Sequence, residues 1–444
     1  MRGTTTGPAD IMLWRKHHLF VYLAFVQIWS VGCKPKVDSP ESRERADLGI
    51  SQERLELIHA FGRKFCADLT AGEDPPVREA WDVGALWDRI VAGIPVDKRF
   101  QDQAKQSFTQ AISVEYGTAV RGLMMKRIDL LNAHAINNEL RIRCRQLEDG
   151  GVNYYDFVLV FGADGLLHVV DAYDYGAGEF VSDGMRRTIL PQLATLAGVS
   201  VADLTGGPEG AAAMDAALHL EGALRGGKFT EVGQLFLSLP EKGRQDKRTL
   251  LQVMGAIAAG TPENTPSPEA AAEAKKQIAS HFADDPAFLL MEIDHRFRAK
   301  EFDEVLKTIE NLKKAVGGDP YLEAMRASAL LAADRLEPAV ETALLALEKA
   351  PELPEAGWAA VNAGMKASRW DAVAKGLDGV IKTGVRFDPS EEVMLRPFFK
   401  SPEGKAWVQR NAGLLTQDPV APAVPASVET PPVPPVAPVP APQP

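Results

Sequence analysis

The chain has 444 residues, enough for about three domains at ~150 residues each. Its 49 Lys and Arg against 60 Asp and Glu give a net charge of -11, which argues against nucleic acid as the partner, because phosphate binding needs a basic surface. Three cysteines without zinc-type spacing are too few for a disulfide scaffold, while 45% hydrophobic and 25% charged residues suit a chain that buries cores over most of its length.

The first segment reads as an address. Arg15, Lys16, His17 and His18 precede an apolar run over 19–31, broken only by Gln27 and Ser30. Thirteen helical residues at ~1.5 Å each fall well short of the ~30 Å hydrocarbon core, so an export signal fits better than a spanning helix. Ser30-Val31-Gly32-Cys33 resembles a bacterial lipobox, although leucine is usual where Ser30 stands. That resemblance implies a signal peptide over 1–32, a lipid on Cys33 and attachment to the cell envelope, at the outer membrane facing periplasm or surface. Cleavage without lipid, or an uncleaved anchor, is the alternative. Met12, directly before Leu13-Trp14-Arg15-Lys16, would make a better start than Met1. Residues 33–50 are polar and charged and suit a flexible tether.

An α+β domain is expected over 51–198. Leu55, Ile58, Phe61 and Phe65 recur at helical steps, and further helical stretches are expected near 85–91, 99–114 and 119–136. The period then becomes two: Leu140, Ile142 and Cys144 alternate with Arg141, Arg143 and Arg145, giving one apolar and one basic face. Turn signals at Asp149-Gly150-Gly151 and at Gly162 to Gly165 separate further strands over 154–161 and 166–175. The helices should cover one face of this antiparallel meander of three or more strands. Helix–helix–sheet order with a curved meander resembles the nuclear-transport-factor-2-like fold. The stretch from Asn153-Tyr154-Tyr155-Asp156 through Asp171 to Tyr175, Gly178-Glu179 and Arg186-Arg187 also resembles an uncharacterised domain that precedes helical repeats in bacterial proteins, and it brings no activity with it.

The repeats carry the strongest pattern. Pro286, Pro320 and Pro354 are 34 apart, as are Phe302, Leu336 and Trp370; Val305, Ala339 and Val373; and Ile309, Ala343 and Leu377. Two helices per 34 residues, small residues at the crossings and a proline opening each unit resemble the tetratricopeptide repeat. That implies an all-α solenoid over 210–390, in five units near 213–246, 247–285, 286–319, 320–353 and 354–387, capped by a helical segment at 391–413. Residues 417–444 hold eleven of the 31 prolines and form a polyproline-like tail: a disordered terminus, a spacer or a ligand for a proline-binding groove.

Chemistry is hard to find. No phosphate loop, HExxH, GxSxG or CxxC occurs, so neither cofactor nor metal is expected. Leu167, Val169, Asp171, Tyr173 and Tyr175 alternate along one strand and read as sharing a face, where Asp171 in a pocket with Tyr173 and Tyr175 could serve as an acid or base. A structural carboxylate held by a tyrosine, Arg186 or Arg187 is the plainer reading. In the solenoid, the first helix of each unit would line a groove, with Phe297, Tyr321, Trp358, Asn362, Met365 and Lys366 as partner-binding candidates for another protein or peptide. Cys66 and Cys144 can pair in an exported compartment or pack as small hydrophobes. The leading expectation is an envelope-anchored interaction scaffold without catalysis, and the alternative is a small-molecule or weakly catalytic pocket in the α+β domain.

Overall fold

The computed structural model describes residues 49–123, 127–148, 151–385 and 392–415. The expected signal peptide, Cys33, nearly all of the tether and the proline-rich tail lie outside the described residues. Four helices come first: α1 (Gln52–Ala71), α2 (Asp74–Ala80), α3 (Val83–Val91) and α4 (Lys98–Leu123). Ser51 caps α1 by accepting from the Arg54 amide, and Gly72, at φ 70°, ends it in the left-handed region that a Cβ disfavours.

A five-stranded antiparallel meander follows in the order β1 (Arg127–Ile136), β2 (Glu139–Glu148), β3 (Gly151–Phe161), β4 (Leu167–Asp174) and β5 (Glu179–Phe180). The expected helical stretch 119–136 is corrected here: α4 ends at Leu123, and 127–136 is the edge strand β1. Its partner decides the outcome, since β1 pairs with β2 from Arg127↔Leu147 to Ile136↔Glu139. The hairpin turns on Asn137 and Asn138, both at positive φ (53° and 65°), a conformation asparagine tolerates better than most residues.

One sheet face packs on α1. Leu55, Ile58, Phe65, Cys66 and Leu69 meet Ile128, Ala133, Ile142, Cys144, Phe157, Leu159, Leu167 and Val169 in one core. Fully burying one such large side chain contributes about 1.5–3 kcal/mol, so this face alone accounts for much of the domain's cohesion.

The helical region continues with α5 (Val181–Ala197), α6 (Val201–Leu204), α7 (Pro208–Arg225), α8 (Phe229–Ser238), α9 (Glu241–Arg244), α10 (Lys247–Ala259) and α11 (Pro268–His281). Three further pairs are α12 (Pro286–Arg298) with α13 (Phe302–Ala315), α14 (Pro320–Ala332) with α15 (Leu336–Lys349), and α16 (Pro354–Ala367) with α17 (Trp370–Lys382). Ala327, Ala339, Ala343, Ala346, Ala356 and Ala360 are buried between successive helices, where small side chains allow close approach. The last pair goes further: a Cβ on Gly376 would come within 2.7 Å of the Gly357 carbonyl oxygen and 2.8 Å of the Val361 nitrogen. Short α18 (Arg396–Lys400) and α19 (Pro402–Leu415) close the end, with Leu395, Phe398 and Trp407 buried against Val361, Val373 and Leu377. Among the described residues no helix is long and apolar enough to cross a membrane. The molecule is thus an α+β domain followed by a helical array.

Candidate functional site

The second sheet face is polar, and it is buried. Residues Asp129, Asn132 and His134 of β1, Arg141, Arg143 and Arg145 of β2, and Tyr154 and Asp156 of β3 lie opposite the α1 core. The strand registers pair Asn132 with Arg143, His134 with Arg141 and Arg143 with Asp156. Alternation along β2 puts the arginines together, and they are 3–6% exposed: Arg143 and Arg145 reach the helical array at Ala315 and Asp319, while Arg141 lies over the Phe180 ring and pairs with Glu139.

β4 is read differently by the structure than by its alternation. A bulge between Val158 and Leu159 of β3 pairs Leu159 with Val169 but Val158 with Asp171, leaving Val170 as the extra residue. Leu167 and Val169 therefore belong to the α1 core, whereas Asp171, Tyr173 and Tyr175 fall on the polar face. The single shared face expected for these five residues is corrected.

Three networks occupy the polar face. In the first, Arg143 holds Asp156 through two bonds, Nε to Oδ1 at 2.7 Å and Nη2 to Oδ2 at 2.9 Å. Tyr175 donates to the same carboxylate at 3.0 Å, His134 contacts it at 3.0 Å, and Arg143 donates to the Ala315 carbonyl of α13 at 2.8 Å. Burial would push the Asp156 carboxyl up. His134 and Arg143 outweigh that effect and hold it well below the usual carboxylate range. In the second, Arg145 lies between Asp129 and Asp319, and Tyr154 donates to Asp319 at 2.8 Å. Asp319 is also the N-cap of α14, accepting from the Tyr321 amide at 2.9 Å. The same column supplies Asp285, 34 residues earlier, which caps α12 and accepts from Lys247 at 2.6 Å, while Lys247 also donates to Tyr173. Asp285 gives Oδ1 to its own helix and Oδ2 to Lys247, whereas Oδ1 of Asp319 accepts from both Tyr321 and Arg145 and Oδ2 accepts from Tyr154.

The third network surrounds Asp171. Its Oδ1 accepts from the amides of Ala172 (2.9 Å) and Ser182 (3.2 Å), and its Oδ2 accepts from the Ser182 hydroxyl (2.6 Å) and Arg89 Nε (2.9 Å). Burial raises the carboxyl above its ordinary value against these donors. Both oxygens are used in joining β4 to the first turn of α5 and to α3. Burial also raises the Tyr173 and Tyr175 phenols, which bond to Lys247 and to Asp156. A shallow open depression on α4, lined by Asp102, Lys105, Gln106, Thr109 and Gln110, includes none of these residues.

The groove candidates separate into four environments. Tyr321 lies under Arg145 of the sheet, its ring centroid 5.9 Å from the guanidinium. Phe297 packs edge-on to Phe302 at 5.6 Å within its own repeat. Trp358 and Met365 lie against the cluster that includes Phe398 and Trp407. Asn362 and Lys366 are exposed, and Lys366 donates to the Leu331 carbonyl at 3.0 Å and pairs with Asp334 at 3.1 Å. Sequence reasoning missed the interface; its one available signal was an aspartate before Pro286 and again before Pro320. Comparison with protein families, curated proteins and solved structures finds no match to this chain.

Proposed function

We propose that the chain is a lipid-anchored protein of the bacterial cell envelope whose tetratricopeptide-like repeats bind another protein or peptide, and that it performs no chemistry of its own. The sheet already covers the part of the array around Tyr321. What remains open on the inner helices is a polar column at the 34-residue step: Asp294, Ser328 and Asn362, with Ser328 and Asn362 exposed and Lys366 one turn beyond. That column is the observation that carries the reading, because it repeats with the array and is the part the sheet leaves to solvent. The engagement of both Asp171 oxygens in joining β4, α3 and α5 favours a structural over a catalytic role for that residue.

A photoreactive side chain at 362 tests the surface, with one at exposed Lys382 on α17 as the comparison. A discrete adduct from 362 and none from 382 is expected; equal labelling, or none at 362, refutes the assignment. Cys33→Ser tests the anchor separately: the protein should move from membranes to the soluble envelope fraction, and unchanged partition rejects the lipid.

A further inference from the structure

The two cysteines of the α+β domain face each other across the α1 core. Cys66 is on the sheet-facing side of α1 and Cys144 on the α1-facing side of β2; they are 4% and 0% exposed, and their sulfurs are 3.5 Å apart. Local geometry explains why this pair meets. Gly62 lies one turn before Cys66, and a Cβ there would approach Leu130 to 3.0 Å and Ile142 to 3.4 Å, so α1 rides unusually close to β1 and β2. Moving four residues along the helix from Gly62 reaches Cys66, and moving two along the strand from Ile142 reaches Cys144. These are steps of about 6 Å and about 6.8 Å, which keeps helix and strand in register.

We propose that Cys66 and Cys144 form a structural disulfide that staples α1 to the sheet when the chain folds in an oxidising environment. The sulfurs must approach from 3.5 Å to about 2.05 Å, a movement that side-chain rotation on both residues can share. The oxidant is a disulfide, R–S–S–R, of the glutathione or dithiol-oxidoreductase class. One cysteine thiolate attacks it, forming a mixed disulfide and expelling the first RS⁻. The other cysteine thiolate then attacks the protein sulfur of that mixed disulfide and expels the second RS⁻. The two protein S–H bonds are lost and the protein S–S bond forms as the oxidant's S–S bond breaks; the two electrons leave on the two RS⁻ groups, and the two protons pass to solvent or to those thiolates. In the folded thiol form the contact with Cys144, together with burial, raises the Cys66 thiol well above its ordinary value. Exchange is therefore fastest before α1 closes on the sheet.

The test uses the full chain carrying Cys33→Ser, refolded with either oxidised or reduced glutathione, then unfolded without reductant, alkylated and mapped by mass spectrometry. The expected result is a 66–144 cross-linked peptide with neither thiol alkylated after oxidative folding. The link closes across a separation of 78 residues, so the oxidised form should also melt higher than the reduced one, by on the order of 5 °C or more. Both thiols alkylated after oxidative folding would overturn the proposal. So would an oxidised form that melts no higher than the reduced one.

Discussion

Asp319→Asn isolates the charge that joins the two domains. Asparagine caps a helix about as well as aspartate, so its Oδ1 keeps the Tyr321 amide bond and α14 should not fray. Arg145, 3% exposed, keeps the Oδ1 contact but loses one of its two carboxylate charges, and Tyr154, which donates to Oδ2, loses its acceptor. Breaking a buried pair by removing one partner costs about 3–5 kcal/mol; the retained Asp129 carboxylate should reduce that to about 2–4 kcal/mol. Asp285→Asn is the matched control. It removes the same kind of cap charge 34 residues away, but Asp285 and Lys247 have side chains 22% and 20% exposed, so about 1 kcal/mol or less is expected. Urea titration reads the difference as a shift in midpoint at unchanged slope. Hydrogen exchange should show the amides of β2 and β3 losing protection first. If Asp319→Asn costs under about 0.5 kcal/mol, or no more than Asp285→Asn, the buried clasp does not hold the domains together.

Asp156 makes a pH prediction. Its carboxyl is held well below its unfolded value of about 3.9, so the folded state stays ionised where the unfolded chain takes up a proton. This contribution is complete above about pH 5 and declines as the pH falls below it; Asp156→Asn should flatten that acid limb, and an unchanged limb in stability against pH would contradict the assignment. Gly376→Ala puts a methyl group against the Gly357 carbonyl and the Val361 nitrogen, and overpacking should cost about 1–3 kcal/mol. Gly413→Ala, where nothing lies within 4 Å of the added carbon, should be neutral or mildly stabilising; equal melting of the two variants would reject the close approach of α16 and α17.

The coarse order, helices, antiparallel sheet, then a helical array, was legible because hydrophobic period and proline spacing are local signals. The edge strand β1 was not. Ile128, Leu130 and Leu131 suit either a helix or a strand, and pairing with β2, a tertiary event, decides between them. The face of Asp171 was misread for a related reason. One inserted residue, Val170, reverses the parity of everything after it, and only the register against β3 reveals the insertion. The arginine stripe of β2 was legible as a basic face, but alternation reports which residues share a side, not what covers that side. The covering aspartates were in plain sight at a 34-residue step, but Leu353, ahead of α16, breaks the column and is buried at 1% exposure.

Arrays of this kind commonly gain and lose units over evolutionary time, since each repeat touches only its neighbours. Here the sheet works against that freedom. Arg127 of β1 reaches toward Glu355 at 3.8 Å, Arg145 of β2 and Tyr154 of β3 engage Asp319, and Tyr173 of β4 shares Lys247 with Asp285. Each step to the next unit thus spans about one and a half strand spacings, roughly 7 Å, close to the about 8–10 Å between packed helices. The sheet acts as a ruler laid across three consecutive repeats. Duplicating or deleting a unit between Asp285 and Glu355 would leave a buried arginine opposite the wrong helix, so length variation should be confined to the units before Asp285 or after α17.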